Sequence, residues 1–203
     1  AAPHHRVLDR GTREFALQVG TPRWAEAVAL HIEAEDWVII GRVDGITDQG
    51  LLSYRPATVK PRDCVRAWIT HVALAAETGD AGTARLVGTN EEIRWRSPAD
   101  PRAILTQLIE GYRSALAAPL PVFEKASHTW ATWNRTSKTP LEAAREQFDA
   151  VWDFRRQKFR GDATDAHIAL CWRGRHPFDT HVAEFERWSG ALWEPALAHE
   201  VAS

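Results

Sequence analysis

Along Ala27–Ala34, Val28, Leu30 and Ile32 alternate with smaller or polar residues, and this period of two predicts a half-buried strand. Ala34-Glu35-Asp36 reads as a turn. Trp37–Ile46 is apolar on both faces and predicts a central strand. Thr47-Asp48-Gln49-Gly50 is a second turn, and Leu51–Arg55 is the returning strand. Pro56 ends it, because proline has no N–H to give to a ladder.

From Pro61 to Thr78 the period changes. Val65, Trp68, Ile69 and Val72 share one helix face, and Gly79 stands where a C-cap belongs. Thr83–Val87 and Ile93–Arg96 are short strands around Gly88-Thr89-Asn90. Beyond them the pattern is helical. Asp100-Pro101 opens a stripe through Ile104, Leu105, Leu108, Ile109, Tyr112 and Leu116 that runs to Pro119. Phe123–Trp133 is a short helix. Thr139-Pro140-Leu141-Glu142 is a capping box for a helix reaching about Trp152. Asp162–Trp172 and Asp179–Ala198 complete the series. A strand meander, a helix, a small hairpin and then helices predict an α/β or α+β domain with a helical C-terminal half, read as a single domain over 1–203.

Composition narrows the class. The 203 residues are 44% hydrophobic and 26% charged, which suits a globular domain with a sizeable core. A net charge of −2 argues against a surface dominated by nucleic-acid electrostatics, while leaving room for a local basic patch. No apolar run nears the roughly 18–20 residues of a membrane span. Ala1–Arg6 lacks the pattern of a secretory signal. Cys64 and Cys171 lie far apart and read as reduced intracellular thiols. The ten tryptophans are expected to fill core and interface space. The absence of any methionine suggests a piece of a longer protein.

The candidate chemistry lies in Gly41–Pro56. If Thr47 pairs with Gly50 across a two-residue loop, Asp44 falls opposite Ser53, at the roughly 4.5–5.5 Å between Cβ atoms typical of facing residues. Ser53 and Arg55 then share a face. A bulge at Gly50 would shift this register by one. Asp44 pairs with Arg42 or Arg55, or retains some metal binding; Glu33, Glu35 and Asp63 are other carboxylates able to complete a site.

Gly41-Arg42-Val43-Asp44-Gly45-Ile46 followed by Leu51-Leu52-Ser53-Tyr54-Arg55-Pro56 resembles the core of the PD-(D/E)XK nuclease superfamily, in its RecB-type version. Active members carry an acid, one residue and then lysine on the second strand, where this chain has Ser53, Tyr54 and Arg55. A magnesium ion needs hard, preferably anionic oxygens, and Ser53 is neutral. Arg55 stays protonated and cannot relay a proton. The resemblance therefore implies degenerate positions at Asp44, Ser53 and Arg55, no catalytic residue, no bound metal and no cofactor.

From Arg62 onward the chain is also similar to the C-terminal domain of the RecC family. The similarity rests on Ala67-Trp68-Ile69-Thr70-His71-Val72, Leu108-Ile109-Glu110-Gly111-Tyr112-Arg113, Ala118–Phe123 with Lys125-Ala126-Ser127 and Trp130, and Leu170-Cys171-Trp172-Arg173 with Gly161-Asp162 and Asp165. Together the matches span most of Asp36–Pro195. They imply a non-catalytic, cytoplasmic domain that contacts RecB and RecD subunits and DNA, with a hairpin that helps to part the strands. The tryptophan-bearing helices Phe123–Trp133 and Asp179–Ala198 are then the candidate partner surfaces.

Other clusters carry less. Arg155, Arg156, Lys158 and Arg160, with Phe154 and Phe159 interleaved, form the densest basic run and are the candidate nucleic-acid contacts; a solvated loop is the plainer reading. Arg94 and Arg96 around Trp95 repeat the pattern weakly. His167, Cys171, His176 and His181 match no familiar zinc framework and read as packing and loop residues. There is no Walker-type loop.

Overall fold

A computed structural model of the chain describes residues 15–17, 19–133, 139–151 and 161–201. The architecture is mixed α/β. The chain divides into two compact units, Ala1–Thr106 with His199–Ser203, and Gln107–Ala198.

The first unit holds all the strands among the described residues. β1 (Val28–Ala34) and β2 (Trp37–Val43) form a two-stranded antiparallel hairpin. A second sheet has the order β3 (Ile46–Thr47), β4 (Gly50–Tyr54), β5 (Thr83–Val87), β6 (Glu92–Arg96) and β7 (Glu200–Val201). β4 and β5 run parallel and are joined by α1 (Pro61–Thr78); the other pairs are antiparallel. Leu51 and Leu52 on β4 are both buried, as expected for a strand covered on two faces. α1 turns Cys64, Ala67, Trp68, His71, Val72 and Ala75 inward, a spacing of three and four that makes one continuous stripe. Trp68 meets Trp95 of β6 at 6.4 Å between ring centroids and His199 at 5.4 Å. Each such large side chain contributes roughly 1.5–3 kcal/mol by leaving water. The helix stops at Gly79, whose φ of 84° lets its N–H return to the Ala75 carbonyl.

The predicted central strand Trp37–Ile46 is two separate pieces. β2 ends at Val43 and pairs only with β1, so Val38 and Ile40 are 50% and 76% exposed. The break falls at Gly45, with φ of 81°, where a side chain would sit 2.8 Å from the Leu52 carbonyl oxygen. Beyond it the chain enters the other sheet as β3. The turn register is Thr47 opposite Gly50, as the two-residue loop requires.

The second unit is helical. α2 (Pro101–Ala117) leads in from the first unit, followed by α3 (Glu124–Thr132), α4 (Pro140–Asp149), α5 (Ala166–Cys171), α6 (Pro177–Thr180) and α7 (Val182–His199). Its core is aromatic: Phe123 lies 4.6 Å from Phe148, and Phe178 lies 4.6 Å from Phe185. Fully buried Ala126 and Ala144 let α3 and α4 approach closely. The Thr139–Glu142 capping box forms, but α4 stops at Asp149, short of the predicted end; Trp152 lies outside the described residues. The predicted Asp162–Trp172 helix is a 3₁₀ turn, Asp162–Thr164, and then α5, because the Asp165 carboxylate takes the His167 and Ile168 N–H groups and starts a new helix. Asp179–Ala198 is likewise divided between α6 and α7.

Candidate functional site

β4 and β5 run parallel, and the carboxyl ends of such strands are where α/β sheets usually present chemistry. Gly50 starts β4 hard against β5; a Cβ there would lie 2.0 Å from the Thr83 carbonyl oxygen. Ser53 pairs with Leu86, and the Arg55 N–H donates to the Val87 carbonyl at 2.9 Å, carrying the ladder one residue past the strand. Arg55 therefore emerges at the carboxyl end of β4, facing the first turn of α1. There Lys60 donates its backbone N–H to Asp63 Oδ2 at 2.9 Å, and Arg55 Nη1 donates to both Asp63 oxygens at 2.9 and 2.7 Å. Ser53, Tyr54, Arg55, Asp63 and Arg66 line a cavity of about 270 Å³.

Asp44 does not join them. Leu52 N–H still reaches the Gly45 carbonyl at 2.8 Å, but the positive φ of Gly45 turns the chain between Asp44 and β3. Asp44 pairs instead with Arg42, Nε at 3.1 Å and Nη2 at 3.0 Å, with both side chains about 70% exposed. Of the other carboxylates read from the sequence, Asp63 lines the cavity and Glu33 and Glu35 do not. Glu33 points outward from β1, and Glu35 occupies the hairpin turn with φ of 53°.

The residues present do not suit a divalent metal. The cavity offers one carboxylate, already committed to a guanidinium, beside a neutral hydroxyl and a second arginine. Among the described residues no group of three or more His, Cys, Asp or Glu side chains is placed to hold a metal ion.

The remaining sequence candidates fare unevenly. Arg155, Arg156, Lys158 and Arg160 lie outside the described residues. Trp95 is 2% exposed and faces the core, while Arg94 bonds Glu92; strand alternation forbids the stacking platform imagined around it. The same Glu92 accepts from Arg85 on β5, and this guanidinium holds its carboxyl below the ordinary range. His176 Nε2 meets Asp149 at 2.9 Å, and His181 lies edge-on to Trp172 at 5.0 Å. The supposed partner helices turn inward: Phe123, Phe185, Trp188 and Trp193 are buried within the helical unit. Ser189 and Ser127 hydroxyls bond at 2.8 Å there. Asp162, buried in the same unit, accepts the Ala126 N–H at 2.8 Å at the start of α3; burial pushes its carboxyl up despite the bonds.

One feature escaped sequence reading. The helical unit contains an apolar cavity of about 450 Å³, lined by Tyr112, Leu120, Ile168, Trp172 and Trp188 among others, with no carboxylate, lysine or arginine among its described lining residues. The signal was Gly111: a Cβ there would lie 3.2 Å from the Trp188 ring, so the missing side chain makes room for the indole.

Comparison with known proteins gives related chains. The model of the RecC C-terminal domain family matches residues 6–135. The RecBCD enzyme subunit RecC of Mycobacterium tuberculosis is 32% identical, over 79% of this chain and 16% of that protein. Its namesake from Escherichia coli is 28% identical, over 68% of this chain and 13% of that protein. The chain thus spans less than a fifth of the length of these relatives. A cavity edged by serine and arginine, at the end of a parallel strand pair, lies inside the matched region, and the chain belongs to the RecC C-terminal domain family.

Proposed function

We propose that residues 1–203 act as one nuclease-like domain with a PD-(D/E)XK core, non-catalytic, within a longer RecC-type subunit. It scaffolds RecB- and RecD-type subunits in the cytoplasm and guides DNA strands during double-strand-break repair and recombination. The relatives' shared name, a subunit of the RecBCD enzyme, supports the assembly. One observation carries the non-catalytic reading: Arg55, at the position of the expected lysine, has its Nη1 fixed on both Asp63 oxygens. That bond uses the only carboxylate among the cavity's described lining residues, and a permanently charged guanidinium cannot shuttle a proton. A two-metal clamp on a scissile phosphate needs acids that are free to bind metal.

Asp63 also favours the rival reading, an active magnesium-dependent nuclease with a migrated carboxylate, because it shares the cavity with Ser53. Incubation of the purified protein with single- and double-stranded DNA and Mg²⁺ or Mn²⁺ separates the two. The proposal expects intact DNA. Cleavage that disappears on Asp63→Ala or Asp44→Ala would establish the rival. Co-purification with helicase subunits tests the scaffold.

A further inference from the structure

The cavity at the end of β4 has more hydrogen-bond donors than its own residues use. Its one carboxylate is spent, since both Asp63 oxygens accept from Arg55 Nη1 and Oδ2 also accepts from the Lys60 N–H. Arg55 keeps Nε and Nη2 without a partner among the described residues. Arg66, exposed on the next turn of α1, makes no side-chain bond among them, and neither does the Ser53 hydroxyl. Two guanidiniums against one carboxylate leave a net charge of about +1, which repels a cation and attracts an anion.

Geometry narrows the anion. Planar guanidinium forks match phosphate and carboxylate oxygens. A volume of about 270 Å³ holds more than a bare phosphate. We infer that Ser53, Arg55 and Arg66 bind a phosphodiester of single-stranded nucleic acid, without metal or cleavage. Contacts of this kind read the backbone and not the sequence, as a strand guide requires. The inference rests on the strand-guiding reading only in taking DNA as the ligand; Asp63 acts as a positioning residue that aims Arg55.

The test is fluorescence anisotropy of labelled oligothymidylate with the full-length protein carrying this chain, in EDTA, over a series of salt concentrations. Arg66→Glu should weaken binding roughly tenfold, and Arg66→Gln should lower the salt slope by about 0.7, the loss of one single-strand phosphate contact. Arg42→Ala, removing an exposed arginine outside the cavity, should leave both unchanged. Wild-type affinity and slope in both Arg66 variants would overturn the site and leave strand guiding intact. No binding by the wild-type protein would overturn both.

Discussion

Two arginine–aspartate pairs sit on either side of the β3–β4 turn, with the same chemistry and different surroundings. Arg42 and Asp44 are two residues apart on one strand end, about 70% exposed, and meet through a single aspartate oxygen. Arg55 and Asp63 are eight residues apart, 29% and 20% exposed, and use both oxygens. The first pair is screened by water and orders nothing beyond itself. The second joins the end of β4 to the first turn of α1, and its aspartate also satisfies a helix-terminal N–H. A place in the outline of a sequence motif that resembles a nuclease site therefore says little about weight in the fold. Asp44 holds such a place and is peripheral; Asp63 lies outside the outline and organises the cavity.

The largest expected effect comes from breaking the second pair. Asp63→Ala removes three accepted hydrogen bonds and leaves a partly buried guanidinium without its partner, a loss of about 2–3 kcal/mol. Urea unfolding should show a lower midpoint with an unchanged slope. Asp63→Asn, which keeps an acceptor for Lys60, should recover part of the loss. A midpoint for Asp63→Ala equal to the wild type would abolish the contrast between the pairs.

A smaller, pH-dependent effect comes from two turns further along α1. His71 is fully buried, and its ring nitrogens meet no hydrogen-bond partner within bonding geometry among the described residues. Burial holds its pKa below the ordinary 6.5. The unfolded chain then binds a proton that the folded chain refuses, so stability falls as the pH drops below about 6.5. Unfolding midpoints at neutral and mildly acidic pH should differ more in the wild type than in His71→Leu. Equal differences would assign the acid sensitivity to other groups.

Much of the fold was legible because local rules decide it. Gly79 as a left-handed cap, Thr139 with Glu142 as a box, and Thr47 facing Gly50 are set by residues within four positions of one another. Trp37–Ile46 misleads because apolar residues on both faces look like a central strand, whereas Val38 and Ile40 are exposed on a two-stranded hairpin. The signal for the break was Gly45 next to Asp44, a turn-forming pair inside the apolar run. Of the site, Ser53 and Arg55 followed from alternation along β4. The Arg55–Asp63 bond did not, since it forms across Pro56 and an irregular loop whose path no periodicity describes. Nor did the apolar cavity beneath Trp188, which depends on packing between helices distant in sequence.

The smallest expected effect is the sharpest test of the contrast. Asp44→Ala should cost under about 0.5 kcal/mol, because an ion pair this exposed gains little over its hydration and must order two side chains. A double-mutant cycle with Arg42→Ala should give a coupling energy of the same small size, and the matching cycle on Arg55 and Asp63 should exceed about 1 kcal/mol. The comparison depends on the difference between the two cycles and not on either alone, since each single change also alters solvation at its own site. Equal couplings would mean that burial does not separate the pairs, and Asp44 would then have to be holding the β2–β3 bend. Unequal couplings leave Asp44 free to vary without consequence for the sheet, the behaviour of an exposed ion pair that orders nothing beyond itself.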